Sequence, residues 1–294
     1  MSFESEFTIH QYEIPIVKFN EPIYLIPFGD VHRFANNCHS EKWLEFLEWC
    51  KKKQRETDRV YFLGMGDYDD LASTSERYAL STAKFHSTTN KSLDDMARKR
   101  TMDMVRELSF MKGRLIGLIE GNHHYKFMSG ITSTQLMAQE LGTKYLGVIS
   151  YIRLLFHYVK GNRCRDLDII AFHGRGSGRR AGSSINTVED LENVGDAEIY
   201  LSGHDHKKWA VLKSKLRLGT SGKNTVLHHR KILLARTGSF QMGYEPGDSN
   251  YVSSNAMPPS DLGVVKIELT PKLERSQVKG NEYDRTYIDI HASI

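Results

Sequence analysis

The 294-residue sequence is short of cysteine, of one-signed charge and of long apolar runs, and each shortage removes a class of protein. Its three cysteines, Cys38, Cys50 and Cys164, are odd in number and show no paired spacing. A disulfide framework is thereby excluded, and a reducing compartment is the simpler expectation. No stretch approaches the roughly 20 apolar residues of a spanning helix, so no membrane association is expected. Glu4 and Glu6 stand where a secretory leader carries positive charge ahead of an apolar run. A cytoplasmic location follows as an expectation. Basic residues exceed acidic ones only by 40 to 36, and a net charge of +4 is too small to demand a nucleic-acid partner. Internal repeats and low-complexity tracts are lacking too, and no cap domain stands apart. The chain is therefore read as a single unit over 1–294, and its 39% apolar and 10% aromatic content suffices for a sizeable core.

Against this plain background, five short segments concentrate metal-binding groups. They are Gly29-Asp30-Val31-His32, Gly66-Asp67-Tyr68-Asp69-Asp70, Gly121-Asn122-His123-His124, Phe172-His173-Gly174 and Gly203-His204-Asp205-His206. Each follows an apolar run, namely Ile23 to Phe28, Val60 to Leu63, Leu115 to Ile119, Asp168 to Phe172 and Glu198 to Leu201. Near-continuous apolar runs read as strands covered on both faces, so each segment is the end of a buried strand breaking into a loop. Asp30 and His32 are two apart, as are His204 and His206, and on an extended chain such pairs point to one side. Asp67, Asn122 and His173 arrive singly. Two carboxylates, four imidazoles and one amide are too many donors for one ion and suit two ions sharing a carboxylate. Two divalent ions against two carboxylates leave a formal charge of about +2, which a bridging hydroxide reduces to about +1. Such a centre is built to receive phosphate.

Helical spacing fills the gaps between these runs. Ser40 reads as an N-cap ahead of Trp43, Phe46, Leu47 and Cys50, and Leu93 to Met111, Ser133 to Leu141 and Ser184 to Val194 are amphipathic, the latter two closing on Gly142 and Gly195. Alternating strands and helices predict an α/β layer fold with the metal site at the carboxyl ends of the strands. After His206 the pattern changes to strands, at Trp209 to Leu218, Thr225 to Thr237, Leu262 to Leu269 and Arg285 to His291. Gly243 to Pro259 reads as a loop over the site edge or an exposed excursion.

The ordered string DxH, GDxxD, GNH, lone His and GHxH resembles the calcineurin-like metallophosphoesterase family over Asp30 to His206. The resemblance implies a four-layer α/β/β/α sandwich of two mixed sheets, with the strands of 207–294 forming the second sheet. It assigns Asp30, His32, Asp67 and His206 to one metal, and Asn122, His173 and His204 to the other, with Asp67 as the bridge. His123 matches the imidazole that contacts the phosphoryl oxygen and protonates the leaving group. The family usually has an acidic residue next, where this chain has His124. Asp69 or Asp70 is the candidate to replace it. His10, His39, His86, His157, His228, His229 and His291 match no motif. The segment Arg236-Thr237-Gly238-Ser239-Phe240 is similar to compact members carried by phages and prophages.

Two further stretches bear on substrate. Arg175, Arg179 and Arg180 lie in a Gly-rich loop directly after His173. They read as a clamp on phosphates beyond the scissile one, against the alternative of a solvated basic loop. No acidic residue occurs between Lys207 and Arg236, where Lys213, Lys215 and Arg217 share one strand face. That stripe is either a nucleic-acid track or a guard against edge pairing. The expected function is a dinuclear metal-dependent phosphohydrolase in which a metal-bridging hydroxide attacks phosphorus. A phosphodiester, in nucleic acid or a nucleotide, is the favoured substrate. A phosphomonoesterase acting on a phosphoprotein or small ester, and an inactive scaffold, are the alternatives. Mixed Asp, Asn and His donors favour two divalent ions of Mn, with Fe, Zn or Ni as other candidates, over Mg.

Overall fold

The computed structural model describes residues 8–83, 85–176, 178, 180–221, 224–244, 256, 259, 261–278 and 281–294. One of its two sheets runs, in spatial order, Asn281–Ser293 (β13), Lys266–Val278 (β12), Ile23–Phe28 (β2), Val60–Gly64 (β3), Leu115–Leu118 (β4) and Lys144–Tyr145 (β5). Its β2 to β5 are mutually parallel, and β12 joins β2 antiparallel. The other runs Thr8–Ile16 (β1), Ile149–Tyr158 (β6), Cys164–Phe172 (β7), Ile199–Ser202 (β8), Asn224–Ser239 (β10) and Gly263–Val264 (β11), with Lys208–Ser221 (β9) pairing along β10.

Alternation along each strand sorts side chains between two layers. Ile23 and Leu25 of β2, Tyr61 and Leu63 of β3, Ile169 and Ala171 of β7, and Leu233 and Ala235 of β10 meet in a core between the sheets. The opposite face of β2 and β3 packs Ile26, Phe28 and Phe62 against helices Ser40–Glu56 (α1), Ser87–Leu108 (α3) and Ser133–Leu141 (α4). On the far side, Ile170, Tyr200, Ile232 and Leu234 receive Val188 of helix Ala181–Glu189 (α5). The result is helix, sheet, sheet, helix, the four-layer α/β/β/α arrangement with two mixed sheets. Helix Thr74–Thr82 (α2) buries no residue and lies outside these layers.

Several expectations are corrected. The strands after His206 do not form a sheet of their own. β10 runs parallel to β8, while β12 runs antiparallel to β2, so the carboxyl-terminal strands extend both sheets and the motif strands are themselves divided between them. Partner choice is set by long-range hydrogen bonding that a local apolar pattern does not encode. The cap of α1 is His39, whose ring nitrogen accepts from the Lys42 amide at 3.3 Å, and Ser40 is the first helical residue. His86 caps α3 in the same way, so that helix begins before Leu93. β1 and β6 pair in parallel beyond β7 and were not anticipated. The stretch 243–259 falls largely outside the described residues.

Candidate metal centre

All five motif segments meet at one end of the sandwich. Asp30 and His32 leave β2, Asp67 leaves β3, Asn122 and His123 follow β4, His173 follows β7, and His204 and His206 follow β8. The extended geometry expected for the Asp-x-His and His-x-His pairs is not what unites them. Asp30, His32, Asp67, His204 and His206 have φ of 47°, 46°, 49°, 71° and 57°, all in the left-handed region. Each such residue costs up to about 1–2 kcal/mol, less for Asp than for bulkier side chains, so the strain is concentrated on the donors. Backbone bonds between the loops hold it. The amides of Asp30, Val31 and His32 donate to the carbonyls of Gly66, Asp67 and Asp67 at 2.9, 2.8 and 3.0 Å.

The donors form two adjoining groups. Asp30, His32 and His206 make one, and Asp67, His173 and His204 the other, each with its ligand atoms within 4.8 Å of one another. Asp67 stands between them, with Oδ2 at 3.1 Å from His173 Nε2 and 3.7 Å from His32 Nε2. Asn122 Oδ1 lies 2.9 Å from both His173 Nε2 and His204 Nδ1, which places it in the second group. His173 is oriented by its other nitrogen, which lies 2.8 Å from the Met65 carbonyl. A histidine that donates from Nδ1 presents the Nε2 lone pair to a cation.

Donor chemistry and burial together fit a pair of divalent ions. Asp30, His32, Asp67 and His173 are each at most 4% exposed. Asp30 Oδ1 and both nitrogens of His32 are buried without any hydrogen-bond partner, an arrangement that costs about 1–3 kcal/mol per group when no cation compensates it. Burial pushes the Asp30 carboxyl up to about 7 and the His32 imidazole down to about 4. Burial also opposes ionisation of Asp67 and protonation of His173. Their mutual attraction wins, holding Asp67 well below the carboxylate range and lifting His173 to about 9.

Glycine is needed where the loops touch. A Cβ at Gly121 would sit 2.0 Å from Asp67 Oδ1, and one at Gly66, whose φ is +100°, would sit 2.5 Å from His173 Nδ1. Gly121→Ala therefore displaces Asp67. It is expected to lower unfolding free energy by about 1–3 kcal/mol and to reduce bound metal, as read by denaturant titration and elemental analysis. Full occupancy in that variant would mean that Asp67 does not hold metal.

His123 carries a partner left open in the sequence. Its Nδ1 lies 2.6 Å from Asp70 Oδ1, and its amide donates to Asp67 Oδ1 at 2.8 Å. Burial works against a charged His123, but the Asp70 hydrogen bond and the charges of Asp67 and Asp70 raise its pKa above the ordinary value. His124 turns away, with Nδ1 2.8 Å from the Gly121 carbonyl. Of the two candidate carboxylates it is Asp70, not Asp69, that contacts His123.

Two arginines lock the loops: Arg77, which no sequence motif marks, and Arg236 of the Arg236 to Phe240 segment. One Nη1 of Arg77 on α2 donates to the carbonyls of Ala72, Asn122 and His124 at 2.7, 2.6 and 3.1 Å. Arg236, 1% exposed, donates to Ser202 Oγ at 2.9 Å and to the Gly203 carbonyl, and its Nε lies 3.5 Å from Asp205. Ser239 Oγ and the Phe240 amide donate to the Asp30 carbonyl at 2.9 and 3.0 Å. The Arg236 to Phe240 segment therefore ties the first and fifth motifs together.

The substrate-side expectations fare differently. Arg175 is exposed and paired with Asp190 at 2.9 Å, and Arg180 is the exposed residue preceding α5. Arg179 lies outside the described residues. On β9, Lys213 bonds Glu189 and Glu192, and Lys215 bonds Glu192. That part of the basic stripe is paired with Glu189 at the end of α5 and with Glu192 just beyond it.

No protein-family model and no curated protein match the sequence. Among solved structures, the chain is similar to the crystal structure of the calcineurin-like phosphoesterase YfkN from Bacillus subtilis. Identity is 10%, coverage is 91% of this chain and 90% of that one, and the TM-score is 0.35. Among the described residues, no helix is long and apolar enough to cross a membrane.

Proposed function

We propose that the protein is a two-metal phosphoesterase of the calcineurin-like type, acting on phosphodiesters. The observation that carries the reading is the pair of adjoining buried donor groups, Asp30–His32–His206 and Asp67–His173–His204, with Asp67 between them and His123 alongside. Asp30, His32, Asp67 and His206 would hold one divalent ion, and Asp67, Asn122, His173 and His204 would hold the other. The donors are nitrogen and oxygen with no thiolate, which favours Mn, with Fe, Zn and Ni as alternatives. The chemistry supplied by such a pair is charge neutralisation at phosphoryl oxygens and acidification of water.

The chain's own groups do the rest. Asp70 holds the Nδ1 proton of His123, leaving Nε2 to carry the proton that goes to the leaving oxygen. His32 packs against the His123 ring with centroids 4.6 Å apart, which limits its rotation. Arg77 fixes the backbone on both sides of His123 by gripping the Asn122 and His124 carbonyls. Arg175 is placed to exchange its Asp190 partner for a flanking phosphate, since that pair is solvated and worth little.

Asp70→Asn is expected to keep both metals and to lower turnover of alkyl esters by about 10–10²-fold, with a smaller loss on nitrophenyl esters that leave without a proton. An equal loss on both would remove Asp70 from proton delivery. The function itself is tested by loading the purified protein with Mn and comparing bis-p-nitrophenyl phosphate with p-nitrophenyl phosphate. The reading expects faster diester turnover, abolished by chelation and restored by Mn. Preference for the monoester would turn the assignment to a phosphomonoesterase.

A further inference from the structure

A cleft of about 540 Å³, inside the size range of small-ligand sites, is lined neither by His123 nor by any of the seven proposed metal donors. It is a site of its own. Four aromatic rings stand in its walls: Tyr78 on α2, Phe85 ahead of α3, and Tyr125 and Phe127 beyond β4. Tyr78 and Phe85 are 73% and 41% exposed, so two large rings are uncovered at one place. Tyr125 and Phe127 are set edge to face at 5.3 Å, and Tyr125 is anchored by donating to Asp94 at 2.9 Å. The same walls hold the cations of Arg77 and Lys126 and no carboxylate. Arg77 spends Nη1 on three carbonyls, whereas Nη2 has only Thr74 Oγ1 at 3.4 Å. Among the described residues neither cation is in an ion pair, since Asp94 is engaged by Tyr125 and by the Met128 amide. Burial draws the Arg77 guanidinium below its ordinary pKa, against the pull of Glu120 and Asp67, as expected for a partly desolvated charge short of a counter-ion.

We infer that this cleft binds a small aromatic carboxylate, its ring among the four aromatic side chains and its anionic group at Arg77 and Lys126. Each half of that ligand answers one half of the lining. An aliphatic acid would meet the cations but forgo ring-on-ring contact with Tyr78, Phe85, Tyr125 and Phe127. A neutral aromatic would cover the rings but leave both charges uncompensated. A carboxylate has two oxygens, and hydrogen bonds from charged donors to it are about twice as strong as neutral ones. The inference does not depend on the phosphoesterase reading, because the cleft shares no residue with the metal donors.

The test is calorimetric titration of the full chain with indole-3-acetate, with indole-3-acetamide as the uncharged control and cyclohexylacetate as the non-aromatic one. Indole-3-acetate is expected to bind one site with a Kd of about 1 mM or below. Both controls are expected to bind about 5–10-fold more weakly. The Kd for indole-3-acetate should be the same, within a few-fold, in Mn-loaded and in chelated protein. Lys126→Ala removes an exposed cation and is expected to weaken indole-3-acetate about 5-fold while leaving the acetamide unchanged. Tyr78→Ala/Phe85→Ala removes exposed rings and is expected to weaken both indoles. Circular dichroism of the two variants should match that of the parent chain. Absence of binding, or equal binding of the acid and its amide, overturns the site. Binding confined to Mn-loaded protein, or unaltered in both variants, overturns it as well, because the carboxylate then sits on the metals or elsewhere.

Discussion

Replacing Asp67 with Asn is expected to empty the centre. Asp67 is the one donor that faces both groups, with His173 at 3.1 Å and His32 at 3.7 Å, and its Oδ1 also receives the His123 amide. The amide keeps the size and one acceptor but removes the negative charge that lies between two cations. A buried site with one carboxylate fewer faces a larger uncompensated positive charge, and at close range that repulsion is worth several kcal/mol. Elemental analysis should show fewer than one metal per chain, and hydrolysis should fall below detection. Two bound ions with near-normal turnover in Asp67→Asn would show that Asp67 is not shared.

The second large effect separates binding from chemistry at the next segment. Asn122 lies 2.9 Å from His173 and His204, inside the second donor group, whereas His123 turns to Asp70 at 2.6 Å. His123→Asn should therefore leave metal content unchanged and lower turnover by about 10²–10⁴-fold on esters with poor leaving groups. Nitrophenyl esters, whose leaving oxygen needs little protonation, should lose much less. An equal loss on both substrate types, or loss of metal, would place His123 among the ligands instead of at the leaving oxygen.

The degree to which the site was legible in the sequence differs from residue to residue, for physical reasons. The five motif segments were visible because each joins a short apolar run to donors at a strand end, and both features are local. The reason given for the Asp30–His32 and His204–His206 pairs was nevertheless wrong in kind, since these residues adopt left-handed φ and not extended backbone. That conformation is imposed by bonds to Gly66 and Asp67 on another strand. Asp70 was one of two candidates because it lies 53 positions from His123, and only the fold chooses between neighbours. Arg77 carried no signal at all, and the role of Arg236 inside its segment carried none. A buried arginine that satisfies carbonyls looks, in sequence, like any solvated one, although the segment beginning at Arg236 had a pattern of its own. The strands that end in a motif were found, whereas β1 and β6, which carry no motif, were missed although Ile14, Ile16, Ile152 and Leu154 lie in the core between the sheets.

The central claim, a centre of two ions sharing Asp67, is tested most directly by anomalous diffraction from crystals of the Mn-loaded protein. The account predicts two peaks per chain, one among Asp30, His32 and His206 and one among Asn122, His173 and His204, with the Asp67 carboxylate touching both. A single peak, or two peaks of which only one contacts Asp67, would contradict it.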